Sequence, residues 1–223
     1  MTADPIAVDV WSDIACPWCY IGKRRFEAGL AGFDGRDDVV LTYHSFELAP
    51  DTPAGFDGSE VDFLVRHKGL AAQQVTQMLA QVTQIAAGEG LHYDFDALRH
   101  TNTRKAHEVL HLARTRGRQL DLAERLFSAY FTEGRHLGDD ADLAALAVEA
   151  GLDGDEVRAT LRDRVFVDAV DADIAQARAY GISAVPFYVV DGRYGISGAQ
   201  PAETFTSALE QVRAERDGTA PQG

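Results

Sequence analysis

Strand-like segments stand at the two ends of this chain, and the long stretch between them reads as helix. That order restricts the fold more than any other feature. Residues 6 to 11, "IAVDVW", alternate apolar and polar side chains with β-branched residues, as a half-buried strand does. "VVLTYHSF", residues 39 to 46, reads as a second strand. Between them "CPWCYIGKRRFEAGLAGF" reads as a helix, with Pro17 in a first turn where its missing N–H costs nothing.

From residue 59 to about 180 the pattern is helical. Ser59 suits the start of a helix that ends near Gly69, and "AAQQVTQMLAQVTQIAAGEG" is a long helix stopped by glycines. In "NTRKAHEVLHLARTRG", Ala106, Val109, Leu110 and Ala113 share one face; Leu122, Leu126, Phe127, Tyr130 and Phe131 repeat that pattern. Asp139 or Asp140 suits the cap of "ADLAALAVEAGL", and "DEVRATLRD" and "VDADIAQARAYG" follow. Strand character returns in "AVPFYVV", residues 184 to 190. Asp191–Gly192 signals a hairpin, "RYGIS" is the return strand, and "PAETFTSALEQVRAE" is a closing helix begun by Pro201. The order βαβ, helical block, ββα predicts one α/β fold interrupted by an inserted all-helical domain. Residues 1–58 with 181–223 form the first part and 59–180 the insertion. The tail "DGTAPQG" is expected to be disordered.

A chain of 223 residues, 46% hydrophobic and 25% charged, has enough apolar material for a sizeable core. Its net charge of −14 argues against nucleic acid and anionic membranes as partners, since both reward clustered Lys and Arg. The start, "MTADPIAVDVWSD", lacks a basic region and a long apolar region, and no apolar run is long enough to span a bilayer. The expected location is the cytoplasm, where thiols are usually kept reduced. The two cysteines, Cys16 and Cys19, are then better read as catalytic or metal-binding than as a structural staple.

A thiolate attacks disulfides; a thiol does not. At the entrance of a helix the anion meets the positive end of the helix dipole and free N–H groups. Cys16 falls just before the predicted helix and Cys19 one turn inside it, on the same side and within reach of a disulfide. This spacing provides one exposed nucleophile and one shielded thiol that resolves the mixed disulfide. Half of a zinc site would need two further ligands. No other Cys exists, and nothing in the sequence places His107 and His111, spaced i, i+4, near Cys16. A buried structural pair is a further alternative, and CxxC by itself is a short, common pattern. Its context lifts it, because it follows a strand, opens a helix and contains Pro17 and Trp18. Pro186, in "SAVPFYVV", offers a second feature. A cis Val185–Pro186 bond would free the Val185 backbone to pair with an extended substrate, although an ordinary trans Pro opening the strand is the simpler reading of that residue alone.

The blocks "SDIACPWCYIGKRRFE", "FELAPDTP", "NTRKAHEVLHLA", "YFTEGRHLGD", "LAVEAGLD" and "ISAVPFYVVDGRYGISGAQP" resemble, in order and over nearly the whole chain, the FrnE-like branch of the DsbA-type thioredoxin-fold family. The resemblance implies a thioredoxin fold interrupted by a helical domain. It implies Cys16 as nucleophile, Cys19 as resolving cysteine and Pro186 as a cis-proline facing them. Pro17, Trp18, Val185 and Pro186 are then the expected substrate contacts. The wider group includes 2-hydroxychromene-2-carboxylate isomerases and kappa-type glutathione transferases, which place Ser where Cys16 stands and use bound glutathione. In such relatives the loop matching "SGAQP" grips the γ-glutamyl end, so Ser197 and Gln200 are candidates for contact with a thiol cofactor or a substrate backbone. Capping of the last helix explains them equally well.

Many thioredoxin-like enzymes keep a buried acid six residues before the first Cys, where it helps move the proton of the resolving thiol. Here that position is Val10. Strand alternation turns Asp9 to the opposite face, leaving Asp13, His44 or Glu47 as candidates. Asn102 is either a family signature near the cleft or a helix cap. Lys23, Arg24 and Arg25 are expected on a solvated helix face, and His107 and His111 in structural roles.

The expected activity is thiol–disulfide oxidoreduction on protein or small-molecule thiols and disulfides, with no metal and no tightly bound cofactor, a low-molecular-weight thiol being the one candidate. Two alternatives stand beside it. One is a thiol-dependent isomerase or transferase for an aromatic or polyketide-like small molecule; the other is a redox-switched, chaperone-like binding module. The oligomeric state stays open, with a homodimer as one option.

Overall fold

The computed structural model describes residues 4–53, 55, 56 and 58–218. Strand β1 (Ile6–Ser12) leads into helix α1 (Pro17–Ala31), and strand β2 (Val39–Ser45) returns parallel to β1, with Ile6 opposite Val39 and Ser12 opposite Ser45. A two-stranded ladder of β3 (Gly58–Ser59) and β4 (Arg99–His100) brackets α2 (Glu60–Lys68) and α3 (Ala72–Gly88). Helices α4 (Arg104–Thr115), α5 (Gln119–Phe131), α6 (Asp140–Glu149), α7 (Gly154–Asp163) and α8 (Val167–Ala179) follow. The chain then re-enters the sheet as β5 (Phe187–Val190) and β6 (Tyr194–Ser197) and closes with α9 (Ala202–Arg216). The sheet order is β2-β1-β5-β6, with β5 antiparallel to both its neighbours. This is a thioredoxin fold with helices inserted between β2 and β5.

Local chemistry accounts for the punctuation. The Ser59 hydroxyl accepts a hydrogen bond from the Asp62 N–H at the start of α2, and Gly69 ends that helix at φ 66°. Asp139 caps α6. Asp191 and Gly192 both adopt left-handed backbone, φ 57° and 65°, which gives the tight turn that matches the twist of the β5–β6 hairpin. The tail expectation falls mainly on residues 219–223, which lie outside the described residues.

The sheet's core is aromatic. Phe26 of α1 stacks on Tyr188 of β5 at 5.6 Å, and Phe205 of α9 meets both rings edge-on. Glycine lets α1 and α9 approach: a Cβ on Gly29 would lie 2.4 Å from the Ala202 carbonyl oxygen. The inserted helices pack on edge strand β2 through α5 and α8, and Tyr20 of α1 stacks on Phe127 of α5 at 5.0 Å. The apolar faces predicted for α4 and α5, from Ala106 to Phe131, are all buried.

Three expectations need correction. The strand expected from residue 184 begins at Phe187, because Pro186 has no N–H to give the ladder; Val185–Pro186 is cis. Pro201 stands just outside α9 rather than in its first turn. Lys23, Arg24 and Arg25 are not a solvated face. Lys23 is only 6% exposed and is paired with Glu27 and Glu124, Arg24 shares both carboxylates, and Arg25 pairs with Glu89 at 2.6 Å. The pairs with Glu124 and Glu89 tie α1 to the inserted helical part.

Candidate active site

The β1–α1 junction sets the geometry. Cys16 occupies the cap position of α1 in extended conformation, and Pro17 is the first helical residue. The Cys16 N–H donates to the Asp13 carbonyl at 3.1 Å and the Cys19 N–H to the Cys16 carbonyl at 3.0 Å, which winds the first turn and places both thiols on one side. Both are free, with no disulfide between them.

Cys16 is 4% exposed and Cys19 1%. The entrance thiol is thus more covered than its position predicts. The chain before β5 lies over it, and its Sγ donates to the Val185 carbonyl at 3.6 Å. Gly22 permits this approach, since a Cβ there would lie 2.9 Å from both Pro186 Cγ and the Tyr188 hydroxyl. The Tyr93 hydroxyl donates to the Pro17 carbonyl at 2.7 Å, fixing the helix entrance from the other side. Burial pushes the Cys19 thiol well above its ordinary pKa and the neighbouring Cys16 adds to that, while Ser12 and the Asp13 backbone act in the opposite sense. Cys19 is therefore held as the neutral thiol.

Beside Cys16 opens a groove of about 390 Å³ with mainly apolar walls, including Pro17, Trp18, Leu48, Phe63, Met78 and Phe95. Trp18, 41% exposed, forms part of its rim. Cys16, Pro17, Trp18, Val185 and Pro186 are thus brought together by the fold.

The secondary candidates separate. Asp13 lines the groove, but its carboxylate is taken by the Leu48 N–H at 2.8 Å, the Ala15 N–H at 3.2 Å and His107 at 3.5 Å. Burial would raise its pKa, yet His107 and the Leu48 N–H outweigh that and hold it below the ordinary carboxylate value. His44 stacks on Trp11 at 4.6 Å, with its two ring nitrogens occupied by Asp9 and Asp173, each at 2.8 Å. Glu47 faces Arg104 at 3.0 Å.

Asn102 takes a local role. Its Oδ1 accepts from the Arg104 N–H at 2.9 Å, and its amide donates to the Thr52 carbonyl. Neither Ser197 nor Gln200 caps α9 by its side chain; instead the Gln200 amide donates to the Ser197 carbonyl at 2.8 Å. The same turn holds the Pro186 segment through the Gly198 N–H and the Pro186 carbonyl, 2.8 Å apart. His107 and His111 are buried. Among the described residues no group of three or more His, Cys, Asp or Glu side chains is arranged to hold a metal ion.

Sequence reasoning missed Gly22, whose only signal is its position one turn beyond Cys19. It also missed Ser12, whose nearness to Cys19 depends on how β1 runs beneath α1.

A strand-to-helix turn that presents two cysteines under a cis-proline, on a sheet of this order, defines a thioredoxin-type redox fold. Residues 7–210 match the DSBA-like thioredoxin domain, and the chain belongs to that family. A probable DsbA oxidoreductase from Streptomyces coelicolor is 42% identical and superposes with a TM-score of 0.89, covering 98% of this chain and 93% of that one. The Bacillus subtilis protein YwbO is 27% identical over 213 residues, 95% of this chain and 99% of its own. A 2-hydroxychromene-2-carboxylate isomerase, 14% identical, shares the fold with a TM-score of 0.67 over 96% of this chain and all of that one.

Proposed function

We propose that this protein is a thiol–disulfide oxidoreductase in which Cys16 attacks and Cys19 resolves. The supporting observation is the asymmetry of the pair. Cys16 stands at the helix entrance, in contact with the Val185 carbonyl and the groove, while Cys19 is buried one turn deeper and held neutral. In the reducing direction the Cys16 thiolate attacks a substrate disulfide. One substrate sulfur leaves as thiolate and a mixed disulfide forms. Cys19 then loses its proton and attacks Cys16 Sγ, and the second substrate thiolate leaves. Two electrons pass from the dithiol to the substrate disulfide, and a thiol donor restores the dithiol by the reverse steps.

The substrates on this reading are protein or small-molecule thiols and disulfides. On this reading Pro17, Trp18, Val185 and Pro186 contact the substrate, no cofactor is tightly bound, and a low-molecular-weight thiol serves as reductant. Residues 1–58 with 181–223 carry the chemistry, and the insertion 59–180 supplies most of the groove wall. A cytoplasmic location belongs to this reading, since thiols are usually kept reduced there and a lone Cys pair is then better read as catalytic than structural. Among the described residues no helix is long and apolar enough to cross a membrane. The groove's apolar lining also favours a second reading, a thiol-dependent isomerase of a small aromatic molecule.

The test is equilibration of the pair in glutathione redox buffers. Trp18 places no charge between the cysteines, so the expected potential lies between the thioredoxin value of about −270 mV and the DsbA value of about −120 mV. A potential at or above the DsbA value contradicts the expectation drawn from Trp18, and the absence of any reversible Cys16–Cys19 disulfide contradicts the oxidoreductase reading.

A further inference from the structure

The groove beside Cys16 takes much of its wall from one face each of α2 and α3. On α2, Glu60, Leu64 and Lys68 recur every four residues and so share a face; on α3, Met78 and Val82 do the same. Its volume of about 390 Å³ falls within the range of about 300–1,000 Å³ that encloses a small molecule. Trp18, Leu48 and Met78, all large and apolar, line it and stay exposed to solvent. Large apolar side chains left in water beside a nucleophile mark a binding surface. Aromatic rings and a thioether suit an aromatic guest, which they meet face, edge or sulfur first.

The charges in the groove are unequal. Asp13, Glu60 and Lys68 line it. Asp13 is taken by the Leu48 and Ala15 N–H groups and by His107. Glu60 Oε2 lies 2.8 Å from Nδ1 of the buried His100, whose ring stacks on Phe63 at 3.5 Å. Both carboxylates are thus engaged. Of the three lysines, Lys23 and Lys105 are ion-paired, whereas Lys68 has no ion-pair or hydrogen-bond partner among the described residues. A chain of net charge −14 therefore leaves a cation uncompensated at the groove. Lys68 stands two turns beyond Glu60, about 12 Å along α2. Its flexible four-carbon stem lets the ammonium reach back over the apolar wall.

We propose that the substrates of this site are small disulfides with an aromatic body and a carboxylate, the body lying between α2 and α3 and the carboxylate on Lys68. The inference rests on the oxidoreductase reading. The Cys16 thiolate attacks one substrate sulfur, and the other leaves as an aryl thiolate. Cys19 then loses its proton and bonds to Cys16, and the second aryl thiolate leaves. Two electrons pass from the dithiol to the substrate.

Single turnover of the reduced protein with two aromatic disulfides separates body from charge. Dithiobis-nitrobenzoate carries carboxylates; dithiodipyridine does not. Lys68→Gln should raise the half-saturating concentration of the first, relative to the second, about three- to fivefold, the scale of one exposed ion pair, and Lys68→Glu at least about tenfold. Lys68→Arg should keep the parent ratio, high salt should shrink the difference, and Arg66→Gln should not alter it. Glutathione disulfide, with carboxylates but no apolar body, should half-saturate at least about tenfold higher than dithiobis-nitrobenzoate. A sulfur-free pair gives a readout without redox chemistry. In the parent protein 4-phenylbutyrate should quench Trp18 fluorescence at lower concentration than 4-phenylbutanol, and Lys68→Gln should remove that difference. The substrate class is overturned if Lys68→Glu leaves the ratio unmoved, if glutathione disulfide or the disulfides of insulin half-saturate as low as dithiobis-nitrobenzoate, or if the acid and the alcohol bind alike. A parent protein that binds the acid yet forms no Cys16–Cys19 disulfide refutes the oxidoreductase reading, and the proposed substrates with it.

Discussion

Cys16→Ser is expected to abolish disulfide exchange, with a loss of at least about a thousandfold in rate, because no other thiol reaches the groove. Cys19→Ser should have the opposite signature. Its Cys16 still attacks, but the mixed disulfide has no resolving thiol and persists. Mass spectrometry of the two variants recovered from cell extract should find Cys16-linked adducts on Cys19→Ser and few or none on Cys16→Ser. The isomerase reading requires another result. Its chemistry needs one thiol, so Cys19→Ser would retain full turnover of the small molecule and would accumulate no protein adduct.

The second large effect concerns stability. Asp173 on α8 accepts the Ser45 N–H at 2.8 Å and holds His44 and His111, while its own carbonyl accepts the Trp11 indole N–H at 3.0 Å. One side chain thus fastens the inserted helices to the edge of the sheet. Asp173→Ala leaves the Ser45 amide and a buried imidazolium short of a partner, and is expected to cost about 3–5 kcal/mol. That corresponds to a melting temperature lower by roughly 10 °C for a chain of this size.

The same cluster sets a pH dependence. Burial opposes the charge on His44, but Asp173 and Asp9 outweigh it and raise its pKa to about 9 from the ordinary 6.5. A raised pKa contributes stability fully below about pH 6.5 that is lost as pH climbs through about 9, a change of up to about 3 kcal/mol. Asp173 is shifted the other way. Burial would raise its pKa, yet His111, His44 and the Ser45 N–H hold it far below the usual carboxylate range, so its contribution is lost only in strong acid. Denaturant titrations of the parent protein should therefore show stability falling between pH 6.5 and 9, and Asp173→Ala should flatten that slope. An unchanged midpoint in Asp173→Ala would contradict the fastening role.

What was legible in the sequence is what local chemistry decides. Ser59 and Gly69 mark α2 because a hydroxyl cap and a left-handed glycine act within one turn, and Asp191–Gly192 marks the hairpin for the same reason. Cys16 and Cys19 could be read because their chemistry depends on three residues of spacing and one helix entrance. What could not be read depends on partners far along the chain. His44 and Asp173 are 129 positions apart, and nothing in either neighbourhood announces the contact. Lys23 looked solvated because its partner Glu124 lies on another helix. Ser197 and Gln200 looked like caps because the turn that folds Gln200 back on Ser197 has no signature in five residues. The β3–β4 ladder is two residues per strand, too short for alternation to register.

The difference between the two thiols is most directly measured by alkylating the reduced protein with a limiting amount of iodoacetamide at neutral pH and quantifying the two cysteines by peptide mass. Cys16, at the groove and the helix entrance, should be modified at least about tenfold faster than Cys19, which burial holds as the unreactive neutral thiol. Equal labelling, or faster labelling of Cys19, would contradict the assigned roles of both cysteines.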